Sequence, residues 1–536
     1  MVKMEVYPNS VIIRCERDSE YQLFHTFVTK QLGVLDFETV VTKVPGHAPS
    51  VKKVPYVKTV YGLIIPKQKL FVLSRYLLIN IQQHINLTNP SLLNDISFTD
   101  MTNSYIGEDI DVALNPTWTL KPVQCDVINW IDDIVNNTTN RLKTALIDLP
   151  TGQGKTVTCV GVIDKYKERS LMVFQPRLVD KWVSDLKVLL DSSKSTKVSE
   201  PISSMADFIT LMQKAKNNAP LSDIIIVSNV IMRNYITAWT TMDVNEFDAI
   251  YPCKPIELAP LLKVNWVMVD EVHENFHFNY LLSLVMNVKM YLGLTATLLD
   301  DNPIIKRCMF GMFPFENRYG KVKPIVHASS VAVLYDVDMP HKFLKVTKAR
   351  GYNHIAFEQI ILKSKAYTKG YLTIIKQQID TYYEKAYKDG DKCLIYVTSN
   401  AMADTVYNYV VQTYPKRSVS TYVRNDPYDN VIKPDIRISS PIKCKSAIDI
   451  PQLTTIIMTC NIKSDKSNIQ MLGRGRVIAD RDVYFVYLAC TDIKKHMDYH
   501  TEKTKLLKDL VKKQKTEYFP YRLGDWYKTS KGRTLI

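Results

Sequence analysis

Short runs of apolar residues recur along most of the chain, and segments with helical spacing separate them. Between about 115 and 318 the runs are TALIDL, LMVFQ, DIIIVS, WVMVD and MYLGLTA. The same alternation returns between about 325 and 490 with KCLIYVTS, DIRISS, TTIIMTC and VYFVYL. Nearly continuous apolar strands that alternate with helices are typical of parallel sheets buried on both faces. The pattern therefore predicts two α/β domains in tandem.

The two ends of the chain follow other patterns. Residues 1–112 read as a small α+β module, in which VIIRCE and VYGLIIP are predicted strands and LFVLSRYLLINIQQHI (70–85) is a predicted buried helix. Residues 491–536 are predicted to form a helical, basic extension. The predicted divisions are therefore 1–112, 113–320, 321–490 and 491–536. No window has about 18 uninterrupted apolar residues, so we expect no membrane span.

Charge narrows the choice of partner. The 536 residues carry a formal net charge of +15, and the pI is about 9.1. Such an excess favours a polyanionic partner, most often nucleic acid, although it also serves solubility. The nine cysteines are scattered without a CxxC pair, and the isolated histidines lack ligand spacing, so no zinc or disulfide framework is expected.

A glycine-rich turn, PTGQGKT, follows the first predicted strand of the first α/β domain. Glycines let backbone N–H groups approach a phosphate closely. Lys155 is expected to reach the β- and γ-phosphates of a nucleotide, and Thr156 to bind Mg²⁺. The strict pattern of such loops is not met, because Leu149 replaces its first glycine. The loop residues expected to bind the nucleotide are Thr151, Gly152, Gln153, Gly154, Lys155 and Thr156.

A nucleotide hydrolase also needs carboxylates at the end of a second strand. The stretch NWVMVDEVHENF runs from apolar residues into Asp270, Glu271 and His273. Asp270 is expected to hold the Mg²⁺ ion. Glu271 is expected to orient and deprotonate the attacking water. The sequence therefore predicts ATP hydrolysis with Mg²⁺ as cofactor.

These residues carry a resemblance to a known family. PTGQGKT, DEVH and GLTATLLD resemble motifs I, II and III of superfamily 2 (DExH) helicases. The resemblance implies two tandem RecA-like motor domains. It also implies that His273, Thr295 and Thr297 couple hydrolysis to nucleic-acid binding.

Further segments of the first α/β domain fit the same resemblance. TLKPVQCDVINWI is similar to the segment that reads adenine, with Gln124 as its glutamine. VFQPRLVDKW resembles motif Ia, which implies that Pro176 and Arg177 lie near the strand backbone. IIIVSNVIM lies where motif Ib is expected, with Ser228 in place of the usual threonine.

The second α/β domain also matches. CLIYVTSN resembles motif IV, SSPIKCKSAIDIPQLTTII motif V and NIQMLGRGRV motif VI. The resemblance implies nucleic-acid contacts at Thr398 and Ser399, and nucleotide contacts at Asp449 and Gln470. An arginine of motif VI is expected to reach the γ-phosphate. The second arginine of the family pattern falls on Val477, so the catalytic finger is either Arg474 or Arg476, one residue early.

The N-terminal module contains NSVIIRCERDSEYQLFHTFVTKQ, then a basic hairpin-like segment, then YGLIIPKQKLFVLSRYLL. These segments and the overall plan of the chain resemble the UvsW-type branched-DNA helicases of phages. That resemblance implies fork reversal, junction migration and unwinding of RNA–DNA hybrids on branched or single-stranded DNA, in the cytoplasm of a host cell. Two alternatives remain: a viral transcription-associated DNA-dependent ATPase or RNA helicase, and a DNA-packaging motor. Basic residues of the N-terminal module, and the lysines and aromatic residues between 505 and 526, are further candidates for nucleic-acid contact.

Overall fold

The computed structural model describes residues 2–524, except for 43–49, 138–141, 150–152, 296–301, 321–325, 340–345, 349–350, 445–447, 449 and 479. The chain divides into two compact units. The first unit holds the described residues up to 320, and the second holds those from 326 onward. Each unit contains one parallel sheet flanked by helices, and a small α+β module precedes the first sheet. The predicted fold class is thereby confirmed, in an arrangement consistent with two RecA-like domains.

The N-terminal module is built on a five-stranded sheet in the order β5-β6-β2-β1-β7. Neighbouring strands are antiparallel except for β1 and β7, which are parallel. Its elements are β1 (Val2–Val6), β2 (Ser10–Cys15), α1 (Asp18–Leu32), β3 (Gly33–Thr42), β4 (Ser50–Val60), β5 (Leu63–Ile65), β6 (Leu70–Ser74), α2 (Leu78–Thr88) and β7 (Ile96–Asp100).

The helix predicted over 70–85 is wrong in its first half. Leu70–Ser74 forms β6, whose five residues are all buried, and α2 begins only at Leu78 after a turn of 3₁₀ helix. A short, continuous apolar run fits a buried strand as well as a buried helix. Pairing with β2 on one side and β5 on the other decides for the strand.

Strands β3 and β4 form a long hairpin of their own. Within the described residues they pair only with each other, in an antiparallel register that places Asp36 opposite Tyr56. The Lys58 side chain forms an ion pair with Asp36 at 2.7 Å near the base of the hairpin. The tip of the hairpin and the side chains of 37–54 lie outside the described residues.

The first parallel sheet has the order β10-β9-β11-β12-β8-β13, and all its strands run in the same direction. The apolar runs that predicted it are buried on both faces. Its elements are α3 (Pro122–Asn136), β8 (Thr144–Asp148), α4 (Lys155–Tyr166), β9 (Ser170–Phe174), α5 (Pro176–Leu189), α6 (Met205–Lys216), β10 (Ile224–Ser228), α7 (Asn229–Thr241), α8 (Val244–Ile250), α9 (Leu258–Leu262), β11 (Trp266–Val269), α10 (Phe276–Val285), β12 (Met290–Thr295), α11 (Pro303–Met312) and β13 (Arg318–Tyr319).

The module and the first parallel sheet share one continuous hydrophobic core. Helix α10 packs against β2 and β6 of the module. At this contact the buried Ser10 hydroxyl donates to Asn287 Oδ1 at 3.1 Å, and His277 Nε2 donates to the carbonyl of Val60 at 2.8 Å. Removal of the module would therefore expose apolar surface of the first unit to water, which is unfavourable. The boundary at residue 112 stays a prediction.

The second unit contains a seven-stranded parallel sheet in the order β18-β19-β17-β20-β21-β14-β22. Two short strands, β15 and β16, pair separately. Its elements are β14 (Ala328–Tyr335), β15 (Thr347–Lys348), β16 (Gly351–Tyr352), α12 (His354–Leu362), α13 (Lys365–Tyr382), β17 (Lys392–Tyr396), α14 (Asn400–Thr413), β18 (Val419–Tyr422), α15 (Asp429–Ile432), β19 (Ile436–Ser439), β20 (Leu453–Met458), α16 (Asp465–Leu472), β21 (Val483–Cys490), α17 (Lys494–Leu507) and β22 (Lys513–Tyr518).

The predicted helical C-terminal extension is confirmed over α17 and wrong over Lys513–Tyr518. That segment forms β22 and pairs in parallel with β14 at the edge of the sheet. The backbone groups of β14 need partners on this side, and a strand supplies them. Exposed lysines suit an edge strand because they discourage pairing with further chains. In the part of the chain that the structure describes, no helix is long and apolar enough to cross a bilayer.

Candidate nucleotide and nucleic-acid site

The described part of the phosphate loop lies between β8 and α4. Gly154 has a positive φ of 81°, a backbone conformation that residues with a side chain rarely adopt. Helix α4 begins at the next residue, Lys155. A Cβ atom at Gly154 would lie 2.3 Å from Gln124 Nε2, so a larger residue has no room there. Thr151 and Gly152 lie outside the described residues.

Gln124 is buried beside the loop, at the start of α3. Its Oε1 accepts a hydrogen bond from the Lys121 amide at 2.8 Å, and its Nε2 donates to the carbonyl of Gln153 at 3.2 Å. One end of the amide is thus fixed by the helix start, and the other end holds the loop backbone. The glutamine predicted to read adenine therefore also holds the backbone of the phosphate loop in place.

The two carboxylates follow β11, as the sequence predicted, and both are buried. Asp270 Oδ1 accepts from the backbone amide of Glu271 at 2.9 Å, and Asp270 Oδ2 accepts from the indole of Trp182 at 2.9 Å. Trp182 stacks on Phe174, with ring centroids 4.5 Å apart and an interplanar angle of 15°. The orientation of the Asp270 carboxylate is thus set by two donors, one of them on a rigid ring.

His273 connects the turn after β11 to the end of β12. Its Nδ1 lies 2.6 Å from the Thr295 hydroxyl and 3.4 Å from Glu271 Oε2. His273 and Thr295 are both buried. Glu271 has a positive φ of 51°. The structure therefore brings together Glu271, His273 and Thr295, three of the predicted catalytic and coupling residues. Thr297 lies outside the described residues.

A carboxylate that the sequence analysis missed ends β8, directly before the phosphate loop. Burial raises the pKa of Asp148, and the nearby charges of Lys155 and Arg318 oppose that rise. The loop lysine therefore has an acidic neighbour within its own unit. An aspartate at the end of a buried strand was the available signal.

Motif Ia lies where β9 passes into α5. Pro176 and Arg177 are exposed in the first turn of that helix. The Arg177 guanidinium donates a hydrogen bond to the Glu274 carboxylate. The side-chain amide of Gln175 donates to the same carboxylate at 2.7 Å. In motif Ib, the Ser228 hydroxyl accepts from the Val230 amide at 3.3 Å and caps α7. A nucleic-acid role for Pro176, Arg177 and Ser228 stays a prediction.

In the second unit, motif IV surrounds a buried carboxylate that the sequence analysis also missed. The backbone amides of Thr398 and Ser399 donate to Glu358 at 2.7 and 2.6 Å. Burial raises the pKa of Glu358, whereas these hydrogen bonds lower it. The Ser399 hydroxyl also caps α14. The buried Glu358 carboxylate therefore holds the backbone of the motif IV loop. The nucleic-acid contacts of Thr398 and Ser399 stay a prediction.

Motif VI extends from α16 into the loop that follows it. Gln470 is buried, and the Arg474 guanidinium donates to the carbonyl of Ile448 in motif V. Arg476 is half-buried. His327 Nε2 lies 2.6 Å from the Gly475 carbonyl and fixes the backbone between the two arginines. Asp449 lies outside the described residues.

The first-unit residues fit a nucleotide with bound Mg²⁺. The Gly154 cradle has no space for a side chain, and the N-terminus of α4 lies directly after it, where backbone amides favour an anion. Among the described residues no group of three or more His, Cys, Asp or Glu side chains could hold a metal by itself. Magnesium is commonly held by one or two protein carboxylates and by substrate phosphates, which suits the single, oriented Asp270.

Comparisons with known proteins agree with the phosphate-binding half of this site. Residues 119–300, about a third of the chain, match the family model described as "Type III restriction enzyme, res subunit", a helicase-family domain. That match supports a nucleic-acid helicase or ATPase of superfamily 2. No curated protein matches the chain.

Among solved structures, a variant of S. cerevisiae Dbp5 bound to RNA and ADP BeF3 aligns with 77% of this chain and 96% of its own. The sequence identity is 9% and the TM-score is 0.45. This likeness is too low to carry a conclusion about substrate.

Proposed function

We propose that the protein is an ATP- and Mg²⁺-dependent DNA helicase or translocase that remodels branched DNA. The observation that carries the ATPase part is the pair of buried carboxylates after β11, with Asp270 oriented by two hydrogen-bond donors and Glu271 close to His273. The branched-DNA part rests on the UvsW-like plan of the chain and on its net charge of +15.

Each residue has a distinct task in the proposed reaction. Lys155 binds the β- and γ-phosphates, while Thr156 and Asp270 would hold the Mg²⁺ ion. When bound, the ion would supply positive charge against the charge that develops on the phosphates. Glu271 orients a water molecule and accepts its proton. His273 and Thr295 transmit the state of this turn to the segment after β12, which is expected to sense nucleic acid.

The experiment that tests the substrate class compares four cofactors at one salt concentration. ATPase rates are measured with single-stranded DNA, a four-way DNA junction, an RNA–DNA hybrid and single-stranded RNA. The salt concentration is held constant because contacts with phosphates depend strongly on salt. We expect the junction to stimulate most and to be remodelled in an ATP-dependent manner. Stimulation by RNA alone would overturn the branched-DNA proposal and favour an RNA helicase. Long duplex DNA is measured beside these four, and stimulation by it without strand separation would favour a transcription-associated ATPase or a packaging motor.

We predict that the β3–β4 hairpin contributes the junction preference. Deletion of the whole module is a poor test, because the module shares its core with the first sheet. A sharper variant replaces 37–55 with Asn-Gly, which joins Asp36 to Tyr56, residues already opposite each other in the register. We expect this variant to keep its melting temperature and its ATPase rate on single strands and to lose the preference for junctions. An unchanged preference would contradict the prediction.

We also predict that Trp182 sets the affinity for Mg²⁺. Trp182→Phe keeps an aromatic ring against Phe174 and removes the donor to Asp270. We expect the Mg²⁺ concentration for half-maximal ATPase to rise about 10-fold, as when a group that orients a metal ligand is lost. The Mg²⁺-dependent affinity for a fluorescent ADP analogue should fall in parallel.

The control for this prediction is Trp239→Phe. Trp239 is buried in the same unit, and its indole nitrogen has no hydrogen-bond partner in the described part of the chain. The same atoms are removed, but no carboxylate loses a donor. Equal Mg²⁺ dependence in both variants would show that the indole of Trp182 only fills space.

A further inference from the structure

Glu274 joins the segment expected to bind nucleic acid to the turn that carries the catalytic carboxylate. Its Oε2 atom accepts two hydrogen bonds from motif Ia, one from Gln175 Nε2 at 2.7 Å and one from the Arg177 guanidinium. The Glu274 side chain is 11% exposed, whereas that of Arg177 is 40% exposed. The arginine is therefore reachable from solvent while its partner is almost enclosed.

The turn on the other side of Glu274 is closely held. The Glu274 amide donates to the carbonyl of Glu271 at 2.7 Å. The Asn279 side chain donates to the carbonyls of Val272 and Glu274 at 2.7 and 2.8 Å. Glu271 and Asn275 both have a positive φ of 51°, so the chain reverses tightly on each side of the histidine. The backbone of Glu274 is therefore hydrogen-bonded directly to that of Glu271.

Arg177 has two possible anionic partners. In the protein alone it pairs with the Glu274 carboxylate, and a guanidinium forms similar charge-assisted hydrogen bonds with carboxylate and with phosphate. A nucleic-acid phosphate near Arg177 competes with Glu274 and is repelled by its negative charge. Binding of a strand at motif Ia and the ion pair to Glu274 therefore oppose each other.

We infer that Glu274 is a positioning residue that couples strand binding to ATP hydrolysis. Without nucleic acid it holds Arg177 and keeps the Glu271 turn in its resting arrangement. A strand phosphate takes Arg177 over, which releases Glu274 and lets the turn that carries Glu271 and His273 rearrange. This inference rests on the proposed function and adds the contact through which the strand regulates the site.

The test is a double-mutant cycle on the full chain. Glu274→Gln keeps the side-chain shape and a hydrogen-bonding oxygen but removes the charge that holds Arg177. We expect a labelled single-stranded oligonucleotide to bind roughly 3- to 10-fold more tightly, measured by fluorescence anisotropy without ATP. We also expect the ATPase rate without nucleic acid to rise, so that the stimulation by a strand becomes smaller.

The second arm of the cycle is Arg177→Ala, which should weaken oligonucleotide binding. In that background Glu274→Gln should no longer tighten binding, because the charge it would free is absent. Glu108→Gln is the matched control, since Glu108 pairs with Arg169 at 2.8 Å elsewhere in the same unit. That control should leave the oligonucleotide affinity unchanged.

The outcomes separate this inference from the proposed function. If Glu274→Gln leaves both binding and basal ATPase unchanged while strands still stimulate the wild-type ATPase, the coupling role is wrong and the helicase proposal stands. Additive effects of the two substitutions would also overturn it. If no nucleic acid binds or stimulates the wild-type chain, the proposed function fails, and the coupling role fails with it.

Discussion

Replacement of Lys155 by alanine is expected to abolish measurable ATP hydrolysis. The lysine begins α4 directly after Gly154, in the position from which its ammonium group is expected to reach the phosphates. Loss of one group that stabilises transition-state charge lowers the rate by roughly 10²- to 10³-fold. The measurement is phosphate release at saturating Mg²⁺, ATP and single-stranded DNA. The affinity for a fluorescent ATP analogue should fall as well, since the same charge contributes to binding.

The control for this prediction is Lys165→Ala on the same helix. Lys165 lies in the last turn of α4 and forms an ion pair with Asp132 at 3.1 Å. A partly exposed pair of this kind contributes about 1 kcal/mol or less to stability. Lys165→Ala should therefore hydrolyse ATP at the normal rate. If Lys155→Ala also hydrolysed ATP at the normal rate, the whole nucleotide-binding interpretation would be overturned.

The core strands of both parallel sheets could be predicted because the sequence pattern reports burial directly. TALIDL and WVMVD carry apolar residues at consecutive positions, so apolar side chains point to both faces of each strand. That pattern is typical of a strand whose two faces are both covered. Leu70–Ser74 and Lys513–Tyr518 could not be assigned in this way. The first has the composition of a buried helix or a buried strand, and the second is a polar segment that becomes a strand because β14 has a free edge.

The site divides along similar lines. The positions of Gly154, Lys155, Asp270 and Glu271 directly after β8 and β11 could be predicted, because phosphate and metal chemistry fixes residue types over a few consecutive positions. Their roles stay predictions. Trp182 could be placed only on the apolar stripe of α5, and its hydrogen bond to Asp270 spans 88 residues. The contacts of Glu274 with motif Ia span almost 100 residues. Contacts between distant segments depend on how strands are ordered in the sheet, which local sequence does not specify.

The N-terminal module shows how a correct pattern can still suggest the wrong experiment. Its composition and strand pattern predict a separate small domain, and deletion is the usual test of such a domain. The structure instead joins the module and the first sheet in one core, with the ring of Tyr61 5.4 Å from that of Tyr280 on α10. That helix follows the turn with Glu271 and His273. The predicted roles in substrate selection and catalysis are therefore best separated by replacing 37–55, which removes no described residue of this core.

The arginines of motif VI are expected to differ sharply when each is replaced by alanine. Arg474 already donates to the carbonyl of Ile448, so its loss leaves a buried backbone oxygen with one donor fewer. We therefore expect Arg474→Ala to lower the melting temperature, with a cost of about 1–3 kcal/mol. We expect Arg476 to be the catalytic finger. Arg476→Ala should lower kcat by roughly 10³-fold or more and leave nucleotide affinity unchanged.

The measurement pairs kcat at saturating DNA with the affinity for a fluorescent ATP analogue and a thermal melt. Arg424→Ala is the control, because Arg424 forms an exposed ion pair with Asp404 at 2.9 Å in the same unit. If Arg474→Ala instead lowers kcat alone and Arg476→Ala is silent, then Arg474 is the finger, and its contact with Ile448 must break when the nucleotide binds. If neither variant lowers kcat, the segment after α16 does not act as motif VI.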